Sequence, residues 1–194
     1  MIEKYRTILI DPPWNLSLTG RRNRTKGGPR PSIPYQTMSI SQIRSLPIRD
    51  ISTADAHLWL WTTNQFLRDG FDLIECWGFK YLAPIHAIKK TGIGNWFVHR
   101  SQTMLFAYSE KCRFPMARYR PNVIEVRDPV RHSEKWDATY EYIESISPPP
   151  RLELFARRER PGWDAWGNEI GNSVSPPVAA AITRAIAGPS DGAA

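Results

Sequence analysis

Hydrophobic residues follow two different periods along this chain: short unbroken runs alternate with stretches at helical spacing. The unbroken runs, such as Ile8-Leu9-Ile10, are typical of strands that are buried on both faces, as in a parallel sheet covered by helices. They predict strands at about residues 5–10, 56–63, 80–89, 102–108, 123–126 and 151–156. Within the second run, Trp59 and Trp61 should face the same side, because side chains alternate along a strand.

The stretches at helical spacing lie between these runs and carry start and stop signals. Ser39 and Ser133 are predicted N-caps, and Gly78 is predicted to end a helix over residues 64–77. An Ala-rich helix is predicted near the C-terminus, with Ser175 as its cap. Strands that alternate with helices indicate an α/β protein, with a doubly wound, mostly parallel sheet and helices on both faces.

Length and composition set the class of protein. A chain of 194 residues is too short for two ordinary domains, so residues 1–187 are predicted to form one domain, followed by a disordered tail at 188–194. No apolar stretch reaches the length of a membrane span, and the N-terminus lacks a signal-peptide core. Two isolated cysteines and four scattered histidines have no metal-ligand spacing. We therefore expect a reduced, intracellular protein without a metal.

The first apolar run leads directly into Asp11-Pro12-Pro13-Trp14. Asp11 precedes a proline, so its backbone stays extended, and each proline fixes φ and lacks an N–H, so the strand ends in a stiff turn. The turn should present a carboxylate, two carbonyls free of competing donors and an indole at a strand's carboxyl end, where ligands bind in open α/β sheets. The structural alternative is an Asx-Pro turn whose tryptophan fills the core.

These groups suit transfer to the exocyclic amine of adenine, a poor nucleophile whose lone pair is delocalised into the ring. Asp11 and the Pro12 carbonyl are expected to accept the two N–H bonds of that amine and to stabilise the developing positive charge. Trp14 is expected to stack on the base after it has left the helix. Catalysis would then be mainly positional and electrostatic.

The balance of charge favours a polyanionic partner. The net charge is +7 and the pI is about 9.6. A loop rich in Gly, Pro and Arg is predicted at residues 15–34, directly after the turn, and should be mobile. Its basic residues would grip phosphates on either side of an extruded base, although most basic loops are solvated and have no partner. The arginines include Arg21, Arg22 and Arg24.

Five motifs follow one another in a characteristic order. They are DPPW at 11–14, PYQTMS at 34–39, LWLW at 58–61, RLELFAR at 151–157 and WGNE at 166–169. This order resembles the DPPW-type adenine-N6 methyltransferase family, which includes the catalytic subunit of the mRNA adenosine methyltransferase and bacterial and phage enzymes. The resemblance spans roughly residues 5 to 170. It implies a Rossmann-like methyltransferase fold and S-adenosylmethionine as the cofactor.

The resemblance also implies roles for particular residues. Lys135 matches the family lysine that helps to hold the cofactor's carboxylate, although Trp136 stands where the family usually has proline. The implied cofactor-binding residues are Asp11, Lys135, Glu153, Phe155, Arg157, Asn168 and Glu169. Tyr35 matches a family segment that borders the active site. The other predicted substrate-binding residues come from the sequence itself: Arg21, Arg22 and Arg24 in the basic loop, and Trp61, which is nearest the carboxyl end of its strand and is expected to wall the base pocket. The implied catalytic turn consists of Asp11, Pro12, Pro13 and Trp14.

Several alternatives stay open at this stage. We expect methylation of adenine N6 in DNA; the alternatives are the same reaction on RNA, or a non-catalytic nucleic-acid-binding subunit on the same fold. The protein is expected in the cytoplasm of a bacterium or a phage-infected cell, as a homodimer or with a partner subunit. The C-terminal helix is expected either to support the cofactor's adenosine or only to cover the sheet edge.

Overall fold

The computed structural model describes residues 4–16, 37–93, 96–112, 119–127, 135–167, 171–172, 179–180 and 182–184. Its strands are β1 (Tyr5–Ile10), β2 (Ser52–Thr62), β3 (Lys80–Ile93), β4 (His99–Tyr108), β5 (Val123–Glu125), β6 (Arg151–Leu154), β7 (Asp164–Gly167) and β8 (Gly171–Asn172). The helices are α1 (Ile40–Arg44), α2 (Leu67–Cys76) and α3 (Asp137–Glu144), and a 3₁₀ turn at Asn64–Phe66 precedes α2.

All eight strands belong to one sheet, in the order β5-β3-β4-β2-β1-β6-β7-β8. Four of the pairs are parallel: β1 with β2, β1 with β6, β6 with β7, and β3 with β5. The pairs β2–β4, β3–β4 and β7–β8 are antiparallel. The connection between β3 and β4 is too short for a parallel crossover, so these strands form a hairpin. The predicted α/β fold with a mostly parallel sheet is confirmed.

Side chains from both faces of the sheet are buried, as the unbroken apolar runs predicted. Ile8 and Ile10 face a core cluster that includes side chains of α1 and α2. Leu9 faces the opposite side, together with Trp59, Trp61 and the buried side chains of α3. The strand that leads to the Asp-Pro-Pro-Trp turn is therefore fixed on both faces.

The helix ends agree with the predictions in part. Ser39 caps α1 through a capping box with Gln42, and Gly78, with a φ of +76°, follows the last turn of α2. The prediction that Ser133 caps the third helix is wrong: α3 has Trp136 as its N-cap and begins at Asp137. Trp136 is 8% exposed and packs in the core, and its backbone is extended, so the helix begins after it.

Two predicted segments lie largely outside the described residues. They are most of the basic loop at 15–34 and the tail at 188–194. Residues 179–180 and 182–184 are helical, and Ile182 is buried in the same cluster as Ile8. Within the described ranges, no helix has both the length and the apolar character required to cross a membrane.

Candidate active site

The carboxyl ends of β2, β1 and β6 meet at one edge of the sheet, because these neighbouring strands are parallel. Asp11 directly follows β1, and Phe155 directly follows β6 with a φ of +66°. Such a backbone conformation costs a non-glycine residue about 1–3 kcal/mol and is concentrated at functional sites. A small cleft opens at this edge, lined by Asp11, Lys135, Tyr140, Glu153, Phe155, Arg157 and Arg158.

An ion pair between Asp11 and Lys135 lies in the cleft. Lys135 Nζ is 3.1 Å from Asp11 Oδ2, and the two side chains are only 13% and 18% exposed. The ammonium also donates to Gln102 Oε1 at 3.3 Å and lies 4.5 Å from the centre of the Trp61 ring. A carboxylate has about four acceptor positions, so Asp11 can keep this ion pair and still accept an N–H from a ligand amine.

Glu153 is the buried acid of the cleft. Its side chain is on β6, the residue is 3% exposed, and the Tyr140 hydroxyl donates to its two oxygens at 2.9 and 3.1 Å. Burial raises the pKa of Glu153 to about 7; the nearby Asp11 carboxylate also raises it, and the Tyr140 hydrogen bond opposes the rise. Glu153, an acid within an otherwise apolar strand, is therefore bonded to a hydroxyl that also lines the cleft.

Trp14 lies in the core rather than in the cleft. It is 4% exposed, its ring stacks on Phe66 with centroids 5.0 Å apart, and its Nε1 donates to the Trp61 carbonyl at 3.2 Å. A base could not reach this indole without rearrangement of the core. These contacts favour the alternative of a core tryptophan, and stacking of Trp14 on an extruded base stays a prediction.

The carbonyls of the turn are less free than expected. The Pro12 oxygen accepts from the Trp14 N–H at 2.8 Å, and the Pro13 oxygen accepts from the Met38 N–H at 2.9 Å. The prediction of carbonyls without competing donors is therefore wrong. The Pro12 oxygen keeps a second lone pair, so it can still accept from a ligand.

Trp61 is the other tryptophan of the predicted site. It is 2% exposed and packs edge-on against Trp136, with ring centroids 6.5 Å apart. Its indole lies beneath the Lys135 ammonium, so the ring supports the floor of the cleft. That Trp61 also walls a base pocket stays a prediction.

Two cleft residues, Tyr140 and Arg158, were not predicted from the sequence. Tyr140 was recognisable only as part of the apolar face of a helix, and Arg158 carries no motif. Gln102, which accepts from Lys135 beside the cleft, carries no motif either. Five predicted residues lie in the cleft or in the ion pair: Asp11, Lys135, Glu153, Phe155 and Arg157. Six lie outside the described residues: Arg21, Arg22, Arg24, Tyr35, Asn168 and Glu169.

The charges of the cleft suit an amino-acid zwitterion. Lys135, Arg157 and Arg158 offer positive charge for a carboxylate, whereas Asp11 and Glu153 offer acceptors for an ammonium. Both signs of charge line one small cleft at the carboxyl edge of the sheet. This set of groups fits the methionine end of S-adenosylmethionine.

Comparison with known proteins points in the same direction. A model of the MT-A70 family matches residues 5–169. The chain is 30% identical to the Type II methyltransferase M.MunI of Mycoplasma sp. over 183 residues, which cover 87% of this chain and 78% of that protein. It is 29% identical to the mouse N(6)-adenine-specific methyltransferase METTL4 and 27% identical to METTL3, the human N(6)-adenosine-methyltransferase catalytic subunit. These matches cover 86% and 88% of this chain, but only 37% and 29% of the two larger proteins.

Proposed function

The chain belongs to the MT-A70 family of adenine-N6 methyltransferases, and we propose that it methylates the N6 amine of adenine in DNA. The observation that carries this proposal is the position of Asp11, at the carboxyl end of β1 and inside a cleft whose charges fit S-adenosylmethionine. When bound, this cofactor supplies an electrophilic methyl group on a sulfonium.

The residues of the turn act on the adenine amine. Asp11 accepts one N–H of the amine, and the free lone pair of the Pro12 carbonyl accepts the other. Two acceptors fix the direction of the nitrogen and stabilise the positive charge that develops on it during transfer. No strong base is required, because the proton leaves a nitrogen that has become acidic.

The cationic side chains act on the cofactor. Lys135 lies between Asp11 and Gln102, where its ammonium can contact a carboxylate without leaving the cleft. Arg157 lies on the same lining. Glu153 is held by Tyr140 and offers its oxygens to an ammonium. The cleft thus orients the donor, and Asp11 orients the acceptor.

Two features support DNA as the substrate. M.MunI, of which the match covers 78%, is named a Type II methyltransferase. The net charge of +7 suits a polyanion. RNA is the second candidate, because METTL3 is named an adenosine methyltransferase. A non-catalytic subunit is the third, and the intact Asp11-Pro12-Pro13-Trp14 turn argues against it.

The test is transfer of labelled methyl from S-adenosylmethionine to matched DNA and RNA oligonucleotides, each made with and without adenine. We expect label on adenine-containing DNA and none on the adenine-free controls. Label on RNA alone would replace DNA by RNA as the substrate. Cofactor binding without label on either polymer would contradict the proposal and favour a non-catalytic subunit.

A further inference from the structure

The hairpin of β3 and β4 projects beyond the edge of the sheet that holds Asp11. The last residue of β2, Thr62, pairs with Thr103 of β4, but β4 begins four residues earlier, at His99. At about 3.4 Å per residue, the hairpin extends roughly 14 Å past the end of β2. β2 is parallel to β1, so this extension is on the side of the catalytic turn.

The end of the hairpin presents three consecutive apolar side chains to solvent. Trp96 is 94% exposed, Phe97 77% and Val98 64%. Exposed large apolar side chains that adjoin one another mark interaction sites rather than ordinary surface. Nothing in the described part of the chain covers these three side chains.

Local contacts hold the hairpin in its shape. A Cβ on Gly92 would lie 2.4 Å from the His99 carbonyl oxygen, so the two strands approach too closely there for any other residue. Across the hairpin, Arg100 Nε donates to the Lys89 carbonyl at 3.0 Å. The apolar side chains therefore lie in the link between two strands that these contacts hold together.

The charge around these side chains favours a nucleic acid as the partner. Lys89, Lys90 and Arg100 flank the hairpin end, and residues 80–109 contain no Asp or Glu. A second copy of this chain that docked through the same hairpin would place its own Lys89, Lys90 and Arg100 against these cations, and the like charges would repel. A polyanion would be attracted to the same surface.

The base of the hairpin touches the catalytic residues. Gln102 of β4 accepts from Lys135, and Lys135 pairs with Asp11. An adenine in duplex DNA must leave the base stack before its amine can reach Asp11. Apolar side chains inserted between base pairs are a general means of unstacking a duplex.

We propose that Trp96, Phe97 and Val98 insert into duplex DNA beside the target adenine and hold the duplex open while the base reaches Asp11. The proposal rests on the proposed DNA substrate. It makes this hairpin the part of the enzyme that permits the use of double-stranded rather than only single-stranded DNA.

The test compares the wild type with a double variant, Trp96→Ala and Phe97→Ala, on random-sequence duplex DNA and on the same DNA after heat denaturation. We expect the initial rate of methyl transfer to fall at least tenfold more on the duplex than on the separated strands. Leu82→Ala is the matched control, because Leu82 is an exposed apolar residue of β3 (52%) at the opposite edge of the sheet. An equal loss on both substrates, or the same loss in the control, would overturn the proposal.

A second measurement separates this proposal from the proposed function. The fluorescence of 2-aminopurine in a duplex rises when its neighbours unstack, and it can be read without methylation. If the wild type raises this fluorescence and the double variant does not, the hairpin proposal stands even where no DNA is methylated. If neither protein raises it, or if light scattering shows that the double variant has changed from dimer to monomer, the hairpin does not act as a wedge.

Discussion

At the scale of single residues, the Asp11 carboxylate has two uses: it pairs with Lys135 at 3.1 Å and is free to accept from a ligand amine. Removal of the carboxylate should therefore affect transfer more than cofactor binding, because Lys135 and the arginines remain in the cleft. We predict that Asp11→Ala lowers the single-turnover rate by about 10²- to 10³-fold, the usual effect of losing one group aimed at developing charge. Its Kd for S-adenosylmethionine, measured by calorimetry, should change by only a few-fold.

The matched control for this variant is Asp55→Ala. Asp55 is also an ion-paired carboxylate, bonded to Arg6 at 2.8 Å, but it lies near the start of β2, at the opposite edge of the sheet. Its loss should leave the single-turnover rate unchanged. Retention of full activity by Asp11→Ala would contradict the role given to the turn.

Glu153 should make stability depend on pH. Burial raises its pKa to about 7 from an ordinary value near 4.5; Asp11 raises it further, and Tyr140, Lys135 and Arg158 oppose the rise. The folded protein therefore holds a proton on Glu153 that the unfolded chain loses at lower pH. The stabilisation from this proton is present below about pH 4.5, the pKa of Glu153 in the unfolded chain. It falls as the pH rises from 4.5 to about 7 and is absent above that pH.

We predict that this loss of stability disappears in Glu153→Gln, which keeps an oxygen to accept from Tyr140. Between about pH 5 and about pH 8, the wild type should lose roughly 2–3 kcal/mol more free energy of unfolding than the variant does. Urea unfolding of both proteins at the two pH values measures the difference. All other carboxyls are common to both proteins. An equal change in the free energy of unfolding between the two pH values would therefore show that Glu153 is ionised in the folded state.

At the scale of elements, Trp14 joins the catalytic turn to the start of the α2 region through its stack on Phe66. We predict that Trp14→Ala costs about 3–5 kcal/mol of stability, because it opens a cavity in the core. Trp14→Phe should retain the stack and lose mainly the hydrogen bond to the Trp61 carbonyl, about 1 kcal/mol. Chemical denaturation of both variants gives these values.

The kinetics of the same pair of variants distinguish a core role from base stacking. A core role predicts that Trp14→Phe keeps the wild-type KM for DNA within a few-fold under conditions where it is folded. A large rise in KM with unchanged stability would support the base-stacking role.

The sequence could predict those features of these elements that depend on residues close together in the chain. The apolar run before Asp11 and the Ser39 capping box are set by neighbouring residues, so they were predictable. The burial of Trp14 depends on Phe66, 52 positions away in the chain, and the true start of α3 depends on the packing of Trp136. Single-sequence patterns do not contain these contacts.

At the scale of the whole molecule, alternating strands and helices predicted the α/β class but not the order of the strands. The order depends on the short link between β3 and β4, which makes a hairpin and inserts β4 between β2 and β3. The site residues divide in the same way between local and long-range causes. Asp11 and Glu153 could be found as acids beside or within apolar runs. Tyr140 becomes a cleft residue only when α3 packs on the sheet. Contacts between residues distant in the chain therefore determine the strand order and bring Tyr140 into the cleft.

Positive charge is placed at both ends of the β3–β4 hairpin, but only one end adjoins the catalytic edge. Lys90 and Arg100 lie at the end of the hairpin, beside the catalytic edge, whereas Lys80 lies at the opposite end of the same strand. DNA affinity should fall steeply with salt, because each neutralised phosphate releases a counterion. Replacement of Lys90 or Arg100 by Gln should reduce the slope of log K against log salt by about 1 for each cation removed.

Lys80→Gln is the control for this series, since it removes the same charge without a predicted phosphate contact. Fluorescence anisotropy of a labelled duplex, titrated at several NaCl concentrations, gives the slopes. If all three variants reduce the slope equally, DNA responds only to the net charge of the protein. A reduction confined to Lys90 and Arg100 would show instead that the duplex lies along the hairpin and across the edge that holds Asp11.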